Sequence, residues 1–90
     1  MSEVVNNEGA RRFEITIDGH TGFLQYAESA GRINLVHTAV PPELGGRGVG
    51  AALAKAALDH ARRSRLQVVA TCPFVRKYLE KHPEHAPPVS

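Results

Sequence analysis

Apolar residues recur at every second position in the segment RRFEITID, where Phe13, Ile15 and Ile17 alternate with Glu14, Thr16 and Asp18. That period predicts a half-buried strand. DGHTG supplies turn residues, and FLQYAES and GRINLVHTAV read as two more strands that bend at Gly31. Together the three predict an antiparallel meander. In the third strand Ile33, Leu35, His37 and Ala39 fall on one face, and Asn34, Val36, Thr38 and Val40 on the other. His37 is therefore expected on a mainly apolar face.

After Pro41 and Pro42 stop strand pairing, ELGGRG reads as a loop and the period changes to that of a helix. Val49, Leu53, Ala57 and Ala61 form an apolar stripe with Ala56 and His60 beside it, opposite Lys55, Asp59, Arg62 and Arg63. LQVVATC alternates again and predicts a fourth strand. Strand, helix, strand implies a right-handed crossover to a parallel neighbour. PFVRKYLEKH has proline at the first helical position and Phe74, Tyr78 and Leu79 at helical spacing, which predicts a closing helix. The expected architecture is α+β with a mixed sheet over residues 11–84. Segments 1–10 and 85–90, the first without periodicity and the second rich in proline, are expected to be flexible.

Composition adds exclusions. With 90 residues the chain holds one domain, and 42% hydrophobic with 22% charged residues is an ordinary globular balance. The formal charge of +2 includes one tight basic group, Arg62, Arg63 and Arg65, which reads as the solvated end of a helix rather than a nucleic-acid footprint. Cys72 is the only cysteine, which rules out an internal disulfide and a zinc site built on several thiolates. Neither a signal peptide nor a run near the ~18 apolar residues of a membrane span is visible, so a cytoplasmic location is expected.

Four glycines, Gly45, Gly46, Gly48 and Gly50, stand between a strand and a helix. Such residues let backbone approach a ligand closely, and the first N–H groups of a helix lack internal partners, so the loop suits an anion. A tight packing turn is the plainer alternative. A Walker loop would need Lys and Ser or Thr where Ala51 and Ala52 follow Gly50, and a dinucleotide loop would follow the first strand of a parallel sheet. GGRGVGAALAKAALDHAR resembles the acetyl-coenzyme A loop of the GCN5-related N-acetyltransferases, whose pattern is Gln or Arg, two residues, Gly, one residue, then Gly or Ala. HTAVPPELGGRGVG with CPFVRKYLEKHPE is similar to the short single-domain branch of that superfamily. The resemblance implies a minimal GNAT-like fold that takes acetyl-CoA as co-substrate. It further implies that backbone amides of Gly45, Gly46, Arg47, Gly48, Val49 and Gly50 hold the pyrophosphate, and that Ala39 and Val40 face the pantetheine arm. Gly45 stands where the family carries Gln or Arg, and Arg47 is the residue able to supply that cation.

Acetyl transfer to an amine needs a nucleophile, a polarised carbonyl and a proton for the departing thiolate. By resemblance Tyr78 is placed as the acid; packing against Phe74 is the alternative. Cys72, at a helix start, is a candidate nucleophile with His37 as base, beside direct attack by the acceptor amine. A small buried side chain is the plainer reading of Cys72, and a packed core residue that of His37. His60 reads as packing and Glu43 as a turn cap or acceptor contact. His82 and His85 have a proline between them and sit in the expected tail, so no metal is expected. The acceptor is unidentified, and a homodimer is compatible with the small core and the sheet edges. Because the N-terminal helices and C-terminal strands that build an acceptor pocket are not visible, a non-catalytic acyl-CoA-binding or protein-interaction module is the competing function.

Overall fold

Both long hairpins of the computed structural model, which describes residues 3–85, close through two-residue turns with positive φ at both central positions. Asp18 (53°) and Gly19 (80°) join strands β2 (Arg12–Ile17) and β3 (His20–Ser29), and Ala30 (51°) and Gly31 (79°) join β3 to β4 (Arg32–Ala39). Such turns match the right-handed twist of the flanking strands. The turn is therefore shorter than DGHTG suggested, and Gly22 belongs to β3. An additional strand, β1 (Val5–Asn7), pairs antiparallel with β2 inside the segment where no element was expected. Strand β5 (Gln67–Ala70) lies parallel to β4 and completes the order β1-β2-β3-β4-β5. The mixed sheet, with helices α1 (Val49–Arg63) and α2 (Pro73–Lys81), is the expected α+β arrangement. Of the expected C-terminal flexible segment, 85–90, only His85 lies within the described residues.

One core holds the domain together. Leu24, Ile33 and Leu35 from the sheet are fully buried with Leu53, Ala54, Ala57, Leu58 and Ala61 of α1 and Val75 of α2. Alanines at three of these positions let the helix backbone lie close to the sheet. The 3₁₀ turn Pro42–Leu44 inserts buried Leu44 into the same core. No helix among the described residues is long and apolar enough to cross a membrane.

The register of β3 against β4 contains a bulge that alternation could not reveal. Tyr26 pairs with Leu35 but Gln25 pairs with His37, leaving Val36 as the extra residue. Beyond it Thr38, opposite fully buried Leu24, faces inward, while His37 joins Gln25 on the outer face. In an unbulged strand His37 would have opposed Leu24. The expectation of His37 on the apolar face is thus corrected: its ring lies edge-on to Phe23, 6.3 Å between centroids, on the exposed side.

Gly22 fixes the approach of α1. A Cβ added there would lie 3.0 Å from Val49 Cγ1 and 3.4 Å from the Ala39 carbonyl. Gly22→Ala is expected to lose about 1–3 kcal/mol of stability by overpacking. Denaturant unfolding checks this, and an unchanged midpoint would show that the helix start yields freely.

Candidate active site

The parallel pair β4–β5 ends at Leu35 and Ala70. There the Leu35 carbonyl accepts both the Thr71 and the Cys72 N–H, at 3.1 and 2.9 Å, and the two strands part. β4 continues through Val36, His37, Thr38 and Ala39 without a β5 partner, while the other branch turns into α2 at Pro73. Pro73 pre-sets φ for the first helical residue, so Cys72 becomes the N-cap. The bulge turns Thr38 inward, and its hydroxyl oxygen comes within 3.4 Å of Cys72 Sγ. Thr38, rather than His37, is the polar group that the fold brings to the cysteine.

Cys72 is only 3% exposed. Burial pushes its thiol pKa up, but the Thr38 hydroxyl, the Val75 and Phe74 amides at the start of α2 and the Thr38 backbone together bring it below the ordinary thiol value. No capping hydrogen bond to the sulfur closes with good geometry, so those helix amides act as oriented dipoles. Because the folded pKa is the lower one, ionisation of Cys72 adds stability above the unfolded thiol pKa. That gain is lost as pH falls through the folded value. Thr38→Val is expected to move the thiolate titration, followed by its ultraviolet absorbance, upward from the wild-type midpoint. An unmoved midpoint would assign the effect to the helix start alone.

The glycine loop leads into α1, which meets the start of α2 at Gly50 and Phe74. Gly46 (φ 78°) and Gly48 (φ 71°, the N-cap of α1) hold left-handed backbone that L side chains resist. The amides of Gly46, Gly48, Val49, Gly50 and Ala51 meet no acceptor among the described residues, and the first turn of α1 carries no acidic side chain. Oriented free N–H groups at the positive end of a helix of this length fit a pyrophosphate. Arg47 is exposed and turns to Asp18, Nη1 to Oδ2 3.4 Å. Such a surface pair is worth about 0–1 kcal/mol, so it leaves the guanidinium free to exchange partners. Gly50 has a second duty, since an added Cβ would lie 2.6 Å from Phe74 Cζ. The Phe74 ring therefore covers the helix start. At Gly45 (φ −61°) the backbone is ordinary, and two amides expected in the cradle are already engaged, Gly45 N–H with the Pro42 carbonyl at 3.0 Å and Arg47 N–H with that of Leu44 at 3.4 Å. Ala39 ends the free β4 branch and Val40 follows it.

Tyr78 has other surroundings. Its hydroxyl is 2.6 Å from His85 Nδ1, and the ring lies 4.7 Å from His82 and 5.6 Å from His85 between centroids. Burial pushes its pKa up, Lys55 opposes this, and Asp59 and Glu84 add to it. None of these groups touches Cys72. Tyr78, Cys72 and His37 are thus not gathered at one point: Cys72 with Thr38 stands in the wedge, Tyr78 is held by the C-terminal turn, and His37 is on the outer face. His60 packs edge-on to Phe13, 5.6 Å between centroids, and Glu43 faces His20 at 3.9 Å. A depression of 390 Å³ between Phe13, Ala56 and His60 includes neither the glycine loop nor Cys72. Thr38 and Phe74 were missed from sequence as site residues. The run CPF at a helix start held a signal for Phe74, whereas nothing local marked Thr38.

The family model for GCN5-related N-acetyltransferases matches residues 12–87. The chain belongs to this family. Among curated relatives of this GCN5-related chain, Protein NATD1 of Gallus gallus is 33% identical over 84 residues, covering 90% of this chain and 76% of its own length. Protein NATD1 of Homo sapiens is 34% identical over 83 residues, 89% of this chain and 74% of its own. The NMR solution structure of a GCN5-like protein from Staphylococcus aureus superposes with a TM-score of 0.71 at 36% identity, over 94% of this chain and 86% of that one. The GCN5-related fold and the two separated sequence motifs thus agree.

Proposed function

We propose that this GCN5-related chain binds acetyl-CoA in the wedge between β4 and β5 and transfers its acetyl group to an amine. The observation that carries this reading is the meeting of the α1 start, with its free amides, and the α2 start, where Phe74 lies against Gly50 and Cys72 against Thr38. In this reading the amides of Gly46, Gly48, Val49, Gly50 and Ala51 hold the pyrophosphate with the Arg47 side chain swung from Asp18, and Ala39 and Val40 line the pantetheine path. Bound acetyl-CoA supplies an activated acyl group. Cys72 attacks as the thiolate, its proton passed to solvent and Thr38 donating to the anionic sulfur; the Sγ–acetyl bond forms as the acetyl–sulfur bond of acetyl-CoA breaks, and coenzyme A leaves as a thiolate that takes a proton from solvent. The neutral acceptor amine then attacks the acetyl carbonyl, the Sγ–acetyl bond breaks to return Cys72 as thiolate, and the nitrogen of the new amide gives up its extra proton to solvent. His37, on the outer face, has no place as the base of this step. Titration with coenzyme A, followed by amide NMR shifts, tests the binding. Shifts are expected at residues 46–51, and their absence would overturn the reading.

A second reading, an acyl-CoA-binding module without transfer, is favoured by one observation: the hydroxyl of Tyr78, the acid expected by resemblance, is spent on His85. Turnover with a panel of amines separates the two.

A further inference from the structure

We propose that His82, Glu84 and His85 form a three-ligand site for a divalent transition-metal ion of the zinc type. The two grounds for expecting no metal in this segment, the intervening proline and a frayed tail, are both removed by the fold. Pro83 opens a 3₁₀ turn, Pro83–His85, and in a helix of that kind residues three apart lie on one side. His82 and His85 are accordingly stacked, 5.4 Å between ring centroids at 13°. The turn is also tied down at two points, by Tyr78 Oη at His85 Nδ1, 2.6 Å, and by Arg62 Nη2 donating to the His85 carbonyl, 3.2 Å.

Three ligand atoms converge as a result. Glu84 Oε2 lies 3.6 Å from His82 Nδ1 and 3.8 Å from His85 Nε2, and one ligand atom from each of the three residues falls within 4.8 Å of the others. A tetrahedral zinc ion with bonds of about 2.0–2.1 Å holds its ligands about 3.3 Å apart. Closure thus needs small movements, chiefly the His82 ring turning out of its stack so that both nitrogen lone pairs meet one ion. His82 has room for this, its side chain being 43% exposed.

The surroundings support the same assignment. Metal-bound histidines commonly engage their second ring nitrogen with an outer partner, which fixes tautomer and orientation. Here Tyr78 Oη occupies that place at His85 Nδ1, leaving Nε2 as the ligand atom. The nearby cations of α1 are already engaged: Lys55 with Asp59 at 2.9 Å, and Arg62 with Asp59 at 3.8 Å. Two imidazoles and one carboxylate match zinc better than calcium or magnesium, which prefer oxygen alone. Three protein ligands leave the fourth position to water or to a group from outside.

The full, untagged chain titrated with zinc chloride against a chromophoric zinc indicator tests the site, with histidine ring resonances followed by NMR. One equivalent is expected to bind and to shift His82 and His85 while His20, His37 and His60 stay in place. His82→Gln and His85→Gln are each expected to weaken binding at least tenfold. Glu84→Gln, which leaves both rings and the Tyr78 contact intact, is expected to weaken it with an unchanged circular dichroism spectrum. Absence of a one-to-one complex, or binding that survives the double histidine variant, would overturn the proposal; so would loss of binding in Cys72→Ser with the two histidines unmoved.

Discussion

Gly48→Val is expected to weaken coenzyme A binding at least tenfold while leaving most of the core intact. Gly48 is the N-cap of α1 at φ 71°, and a β-branched residue there is a true outlier costing about 1–3 kcal/mol. The chain relieves that strain by rotating the backbone out of the left-handed region, which turns away the amides of Val49, Gly50 and Ala51. Those are the groups proposed to hold the pyrophosphate, and a misdirected donor loses most of its strength. Gly48→Asn is the matched control, because asparagine tolerates the left-handed region and is itself a good N-cap. Isothermal titration of both variants with coenzyme A decides the matter. Equal affinity of Gly48→Val and wild type would remove the loop from the binding site.

Exposed to acetyl-CoA, the wild-type chain is expected to gain the mass of one acetyl group, and Cys72→Ser none. Serine keeps the size and the polar contact to Thr38 but, as an alcohol, does not ionise near neutrality. If transfer proceeds through Cys72, Cys72→Ser also loses amine turnover by two or more powers of ten. If the amine attacks directly, turnover changes less than tenfold and no adduct forms in either protein. Intact mass spectrometry combined with a turnover assay reads both quantities, and an adduct persisting in Cys72→Ser would place the nucleophile elsewhere. Thr38→Val should slow adduct formation at a given pH in line with its higher thiol pKa.

Much of the architecture was legible because each element carries its own period. Phe13 and Ile15 marked β2, Val49 to Ala61 marked α1, and both prolines at 41 and 42 marked the end of strand pairing. The stripe read on α1 was narrower than the buried one, which also includes Ala54 and Leu58. A polar N-terminus hid β1, whose anchoring depends on partners far along the chain: Asn6 accepts from Tyr26 Oη at 2.7 Å. The glycine loop was legible as an anion cradle, but the cover that Phe74 places on Gly50 was not, since α1 and α2 meet only after folding. The meeting of the C-terminal histidines was not legible for a related reason. Their proximity depends on a 3₁₀ turn held by Tyr78 and Arg62.

The sequence by itself determined the order from β2 to α2, the glycine-rich helix start and the presence of a single thiol at the head of α2. These are properties of local spacing and of backbone preferences within a few residues. Only the tertiary structure decided which side chains meet at that thiol. One extra residue at Val36, accommodated in the pairing of β4 with β3, turned His37 outward and Thr38 toward Cys72. A bulge belongs to the register between two strands, and no count of alternating positions along one strand contains it.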